Sequence, residues 1–276
     1  LNGYLVESGS DGVVRVAGAN MNYRFLSLRQ TDEPIKKGSK VRSLVAHPNK
    51  PVRTSPKIAL GVFHNFSHSG RKMGIMTVAA TRPAHSQIVT EILGCLAVNT
   101  ARQYETRAAE LNELTTAEQL RAPNGKDDLI GRNSMLVFRV HDELGNIIQD
   151  EDFDVLLLGG PRYREDKLPK GFFLDRQFNR QSESLVYYLN ADKMQELEKG
   201  LYGFRVVARP EKGFSYFFNA EFRSDGMAID KVFSPNQTTY IDVTLNRQVD
   251  KNVFRFTGGR KNKESFKDVS PSGKTV

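Results

Sequence analysis

The sequence predicts a protein of two parts, an α/β half followed by an all-β half. Residues 1–122 contain both short β-type runs and stretches in which apolar residues recur at helical spacing. Over residues 134–257, strand-like runs recur at intervals of roughly ten residues with turn residues between them, which is typical of an immunoglobulin-like β-sandwich. The segment 123–133 between the two parts contains Pro, Asn and Gly and predicts a linker.

The first part begins with short apolar runs that Gly, Pro and Asn interrupt. Ser86 is a suitable N-cap for a first helix, and apolar residues follow it at helical spacing from Ile88 to Leu96. A second helix is expected from about Thr100 to Thr116. Residues 31–56, rich in Pro, Lys and Ser, predict a loop. The expected strands are 4–6, 13–16, 23–28 and 58–63.

The second part consists of strand-like segments with one apolar face. In 240–246 polar and apolar residues alternate, as they do in a strand with one solvated face. Residues 191–199 predict one short helix between strands, and the polar, basic segment 258–276 predicts a disordered tail. The expected strands are 135–140, 153–158, 185–189, 201–208, 214–222, 227–233 and 238–245.

Composition limits the classes of function. The net charge of +8 favours anionic partners. The lysines and arginines are spread along the chain, however, and no RNA-recognition or zinc-finger signature accompanies them, so nucleic acid is not an expected partner. Attraction to anionic lipid headgroups is a second possible role for this charge. Cys95 is the single cysteine, which excludes a disulfide within one chain.

Two short segments carry the residues with the strongest chemical signal. Asp11 lies in a glycine-flanked turn after the apolar run 4–6, and His68 lies in a Ser/Gly turn after the apolar run 58–63. An acid at one strand end and a histidine at the next is the second half of a Ser…Asp…His order. In such a site the histidine accepts the proton of the serine and the acid orients its ring.

Other residues compete for these roles. Glu7 is the alternative acid, and His64, four residues before His68, is the alternative base. His47, His85 and His141 are expected to be structural or exposed. The five histidines have no metal-ligand spacing, and no glycine-rich phosphate loop is present, so neither a metal ion nor a cofactor is expected.

The segment from Gly9 to Asn20 resembles the acid region of bacterial lipase-like α/β-hydrolases. The run His68-Ser69-Gly70, with Gly74-Ile75-Met76 after it, resembles the histidine region of the same group. The resemblance implies that residues 1–122 are the C-terminal portion of an α/β-hydrolase domain, with Asp11 as triad acid and His68 as triad base. It also implies hydrolysis of carboxylic esters, as by lipases and phospholipases, through an acyl-enzyme on a serine.

No Gly-x-Ser-x-Gly motif occurs in the sequence, and the chain opens on Leu1 rather than methionine. We therefore expect the nucleophile upstream of Leu1 and expect this fragment alone to be inactive. The expected partner is an ester or lipid substrate, with peripheral contact to an anionic membrane as a further possibility. The sequence leaves the oligomeric state undetermined. The alternative hypothesis is a non-catalytic β-sandwich module that binds an anionic lipid surface or a protein partner.

Overall fold

The computed structural model describes residues 10–11, 13–46, 48, 52–63, 68, 83–120, 131–149, 151–197, 202–209, 214–225, 227 and 231–249. The expected strand at 4–6, most of the expected linker and the expected tail lie outside these residues, as do Glu7 and His64. Of His85 only the backbone is described. No described helix is long and apolar enough to cross a membrane.

The described elements are three helices, twelve strands and short 3-10 turns. The helices are α1 (Val16–Ala19), α2 (Pro83–Leu96) and α3 (Ala101–Leu120), and two of the 3-10 turns are Glu165–Lys167 and Ala191–Glu196. The strands are β1 (Tyr23–Pro34), β2 (Arg42–Ala46), β3 (Val52–Thr54), β4 (Asn133–Asp142), β5 (Phe153–Gly159), β6 (Phe173–Asn179), β7 (Ser184–Asn190), β8 (Tyr202–Ala208), β9 (Ser215–Phe217), β10 (Ala220–Arg223), β11 (Thr238–Leu245) and β12 (Arg247–Val249).

Ten of these strands form one mixed sheet. Its order is β5-β8-β10-β2-β1-β11-β4-β7-β6, with β3 paired to β1. β1 runs parallel to β11, and β11 runs parallel to β4. β9 and β12 form a separate two-stranded sheet. The large sheet therefore takes strands from both sides of the expected linker, and β1 and β2 lie in its middle.

The sheet curls around an apolar core. Leu26, Phe138 and Ile241 on the three central parallel strands are fully buried. Phe138 of β4 also packs edge-on against Phe204 of β8, with ring centroids 4.8 Å apart, although five steps of the strand order separate these strands. Burial of a large apolar side chain contributes about 1.5–3 kcal/mol, so this shared core favours the curled form over a flat sheet.

The curl brings the two ends of the sheet together, and side chains join them. Arg176 of β6 donates to Asp154 of β5 at 2.9 Å, and the Tyr187 hydroxyl of β7 donates to the Val155 carbonyl of β5 at 2.5 Å. Burial raises the pKa of Tyr187 to about 12, and Asp154 acts in the same direction. We call this junction between β5 and the β6–β7 hairpin the seam.

The described residues form mostly one curled mixed β-sheet with few helices. The finer division into an α/β-hydrolase portion and an immunoglobulin-like sandwich remains a prediction. The two expected helices are confirmed, although α2 already begins at Pro83, so Ser86 is not its N-cap, and α3 continues to Leu120. The strands expected near 135–140, 153–158, 185–189, 201–208 and 238–245 are confirmed, and 214–222 contains β9 and the start of β10.

Four other expectations are wrong. Val13 and Val14 lie in a turn and α1 begins at Val16, so 13–16 is not a strand. Residues 58–63 have no regular structure, and the described part of 227–233 contains no strand. Residues 31–56, expected to be a loop, hold the end of β1 and the strands β2 and β3. Leu44 is the buried residue of β2, which explains why this half-solvated strand lacks a clear apolar signal.

Candidate active site

The structure brings Asp11 and His68 into direct contact. The carboxylate oxygen Oδ2 of Asp11 lies 3.0 Å from Nδ1 of His68. The backbone N–H of His68 also donates to the Asp11 carbonyl at 3.0 Å. Two hydrogen bonds, one from the side chain and one from the backbone, therefore fix this pair across 57 residues of sequence.

Asp11 sits in a turn that its own side chain stabilises. Its Oδ1 accepts the backbone N–H of Val13 at 2.9 Å and of Val14 at 2.7 Å. Ser10 and Arg15 form an antiparallel bridge at the base of the turn. An aspartate at the first position of a turn favours this arrangement because its short carboxylate reaches the next backbone N–H groups. The turn thus uses one carboxylate oxygen and presents the other to His68.

The hydrogen bonds keep Asp11 ionised. Burial raises the pKa of Asp11, but the hydrogen bonds from Val14, Val13 and His68 outweigh it, and the pKa lies below its ordinary value. An ionised carboxylate only accepts hydrogen bonds, so Nδ1 of His68 carries the proton of this contact. In the neutral form of the ring, Nε2 is then the acceptor nitrogen. The side chain of His68 is 51% exposed, which leaves its ring accessible to another group.

Side chains of α3 and of Asn22, the residue before β1, hold the segment that leads to His68. Asn22 exchanges two hydrogen bonds with the backbone of Ile58, at 2.6 and 2.8 Å. The Tyr104 hydroxyl donates to the Lys57 carbonyl and accepts the Ala59 N–H. These hydrogen bonds take the place of those that a neighbouring strand would make if 58–63 were the strand that the sequence suggested.

Thr115 holds the same segment in a similar way, about three turns further along α3. Its hydroxyl donates to the Leu60 carbonyl at 3.1 Å and accepts the Val62 N–H at 3.0 Å. Sequence reasoning missed Asn22 and Thr115 as supporting residues. For Thr115 a signal existed, because it lies four residues after Leu111 and therefore on the buried face of α3.

Among the described residues, neither His141 nor the cleft between α2 and α3 joins this pair. His141 lies near the end of β4, where its Nδ1 is 3.1 Å from the Asp142 carbonyl. A cleft of about 420 Å³ lies between α2 and α3 and is lined by residues such as Gln103 and Arg107, but neither Asp11 nor His68 lines it. Within the described ranges, no group of three or more His, Cys, Asp and Glu residues is arranged to hold a metal ion.

Comparison with known proteins gives matches to solved structures. No family model matches the chain, and no curated protein matches it. The chain is similar to phospholipase PlaB from Legionella pneumophila in complex with thio-NAD, with 33% identity and a TM-score of 0.80 over the whole of this chain and 60% of that one. It is also similar to a second structure of that phospholipase, with 32% identity and a TM-score of 0.77 over 98% of this chain and 57% of that one.

The chain therefore spans about 60% of the length of the phospholipase that it resembles. The similarity supports the prediction, made from the acid and histidine regions, that the chain has a lipase-like relative.

Proposed function

We propose that this chain is part of a serine hydrolase that acts on carboxylic esters, as lipases and phospholipases do. The observation that carries the proposal is the 3.0 Å contact between Asp11 and Nδ1 of His68, two residues identified from their order in the sequence. The similarity to a phospholipase over the full chain supports the same reaction class. The nucleophilic serine would lie upstream of Leu1.

In this proposal His68 is the general base and then the general acid. Its Nε2 takes the proton of the serine hydroxyl as the serine oxygen attacks the ester carbonyl, and then gives that proton to the leaving alkoxide. The resulting acyl-enzyme is hydrolysed by a water molecule that His68 activates in the same way. Asp11 holds the Nδ1–H tautomer and stabilises the imidazolium that forms in each step.

The proposal is tested by replacing His68 in the full-length protein. His68→Ala should lower kcat for a short-chain ester at least about 10³-fold, because the serine then lacks its base. His141→Ala is the matched control, and its turnover should stay near that of the wild type. Residues 1–276 alone should not turn over the ester. Wild-type turnover by His68→Ala would overturn the proposal, or transfer the base role to His64 if His64→Ala is inactive.

A second candidate function is docking to an anionic lipid surface, which one feature of the sheet favours. Tyr23, Phe25 and Tyr240 form a half-buried cluster with ring centroids 5.3–5.7 Å apart. Arg53 lies over the Phe25 ring and Arg139 over the Tyr240 ring, at 5.5 and 6.0 Å. We call these five residues the aromatic face. Aromatic rings beside exposed arginines suit the headgroup region of a bilayer.

Sedimentation with phosphatidylglycerol-containing vesicles tests the docking proposal. The double variant Arg53→Gln/Arg139→Gln should bind about tenfold more weakly than the wild type, since each basic residue contributes about 1 kcal/mol and Asp242 already pairs with Arg139. Lys37→Gln/Lys40→Gln removes two exposed charges from the turn after β1 and serves as control. Equal loss in both double variants, or binding that salt does not weaken, would contradict docking through the aromatic face.

A further inference from the structure

Arg15 ends the turn that carries Asp11, and it is a buried arginine. Arg15 is only 8% exposed, whereas the side chain of Asp11 is 38% exposed. The bridge between Ser10 and Arg15 closes the turn, and the Arg15 carbonyl accepts the N–H groups of Gly18 and Ala19 at 2.9 and 3.1 Å. Arg15 is therefore the residue that connects the exposed turn to the buried part of the protein.

The guanidinium of Arg15 contacts the hairpin formed by β6 and β7, which is far away in sequence. Its central carbon lies 4.3 Å from the centroid of the Tyr188 ring. Its Nη2 lies 4.0 Å from a carboxylate oxygen of Asp175. The attraction between a cation and an aromatic ring is stronger away from water, and the nearby carboxylate offsets part of the cost of burying the charge.

The residues that follow Arg15 are fixed to the same sheet. The Thr238 hydroxyl donates to the Ala17 carbonyl at 2.9 Å, and the Asn20 side chain donates to the Asn236 carbonyl at 2.6 Å. Ala17 is fully buried. The chain after the turn is thus attached to β11 and to the loop before it, while Arg15 attaches the base of the turn to β6 and β7.

We propose that Arg15 is a positioning residue that holds Asp11 at the correct distance from His68. In this proposal Arg15 acts through the turn between residues 10 and 15. The proposal rests on the proposed function, in which Asp11 must keep the His68 ring in one orientation. A misplacement of about 1 Å in such a site lowers the rate on the order of 10²-fold.

The test uses kinetics of the full-length protein with a short-chain ester. Arg15→Gln and Tyr188→Leu remove the same contact from its two sides, and each should lower kcat about 10- to 100-fold while KM changes less than about twofold. Tyr188→Phe retains the ring and should recover most of the loss seen in Tyr188→Leu. Arg164→Gln, at an exposed arginine paired with Asp166, is the matched control and should keep wild-type kcat.

A double-mutant cycle separates positioning from a general loss of stability. If Arg15 acts through Asp11, Arg15→Gln should change kcat by less than about threefold in a protein that already carries Asp11→Asn. The proposal would be overturned if Arg15→Gln lowered kcat by the same factor in the wild type and in Asp11→Asn. It would also be overturned if Arg15→Gln and Tyr188→Leu left kcat unchanged. If only Tyr188→Leu folds, its cycle with Asp11→Asn decides in the same way.

The outcome also distinguishes this inference from the function on which it rests. An inactive His68→Ala together with a fully active Arg15→Gln would leave the hydrolase standing and remove the role of Arg15. A fully active His68→Ala with no base at His64 would overturn both.

Discussion

At the scale of single residues, Asp142 shows how one buried carboxylate can organise a turn. Its side chain is fully buried at the end of β4 and accepts the backbone N–H groups of Leu144 and Asn146. The Asn146 amide and the Arg247 guanidinium donate to its other oxygen. Burial raises the pKa of Asp142, but these donors hold the pKa well below its usual range. All of the contacts favour the ionised form.

Replacing Asp142 by asparagine should therefore be costly. Asp142→Asn removes the charge and places an N–H₂ group against donors, so the free energy of unfolding should fall by about 3 kcal/mol at pH 7 in urea titrations. Because the folded pKa is depressed, the wild-type advantage exists above the unfolded pKa of about 3.9 and is lost as the pH falls below it. Asp166→Asn, at an exposed pair, should change stability by less than about 1 kcal/mol. An equal urea midpoint for Asp142→Asn and the wild type would contradict this account.

At the scale of elements, the sequence was most informative where one face of a strand is solvated and the other buried. β11 alternates polar and apolar residues from Tyr240 to Leu245 and was predicted at its observed bounds. β6 was missed because most of its residues are exposed, so hydrophobic patterning is weak. The run 58–63 looked like a strand because it is apolar, but Tyr104 and Thr115 of α3 satisfy its backbone groups instead of a neighbouring strand.

Part of the candidate site could also be predicted from the sequence. The pairing of Asp11 with His68 could be inferred from residue types, turn signals and order along the chain. The Arg15 contact with Tyr188 could not, since it joins segments whose proximity depends on the sheet order. A lone arginine after a turn carries no local signal of burial. Supporting residues of this kind become visible only when the tertiary structure is known.

At the scale of the whole molecule, the sheet order makes the two predicted parts depend on each other. β1 and β2 lie between β10 and β11, so the strands of the second part form two groups that do not pair without the first. Leu26, Leu28 and Leu44 contribute to the common core from this inserted pair.

We therefore expect that residues 131–257 do not fold when produced alone. Their thermal melt, followed by circular dichroism, should lack the cooperative transition that residues 1–276 show, because removal of β1 and β2 leaves core surface and two sheet edges exposed. A cooperative transition in the isolated segment would show instead that it is an independent domain.

The seam between β5 and the β6–β7 hairpin has a consequence for solubility. Strands at the end of a sheet present unpaired backbone groups that can recruit a strand from another molecule, which begins aggregation. Here the curl turns the two ends towards each other, and Arg176 and Tyr187 cross the gap between them. Each end of the sheet therefore obstructs the approach of a foreign strand to the other end. The molecule gains part of the protection that a closed barrel has, although β5 and β6 do not pair with each other.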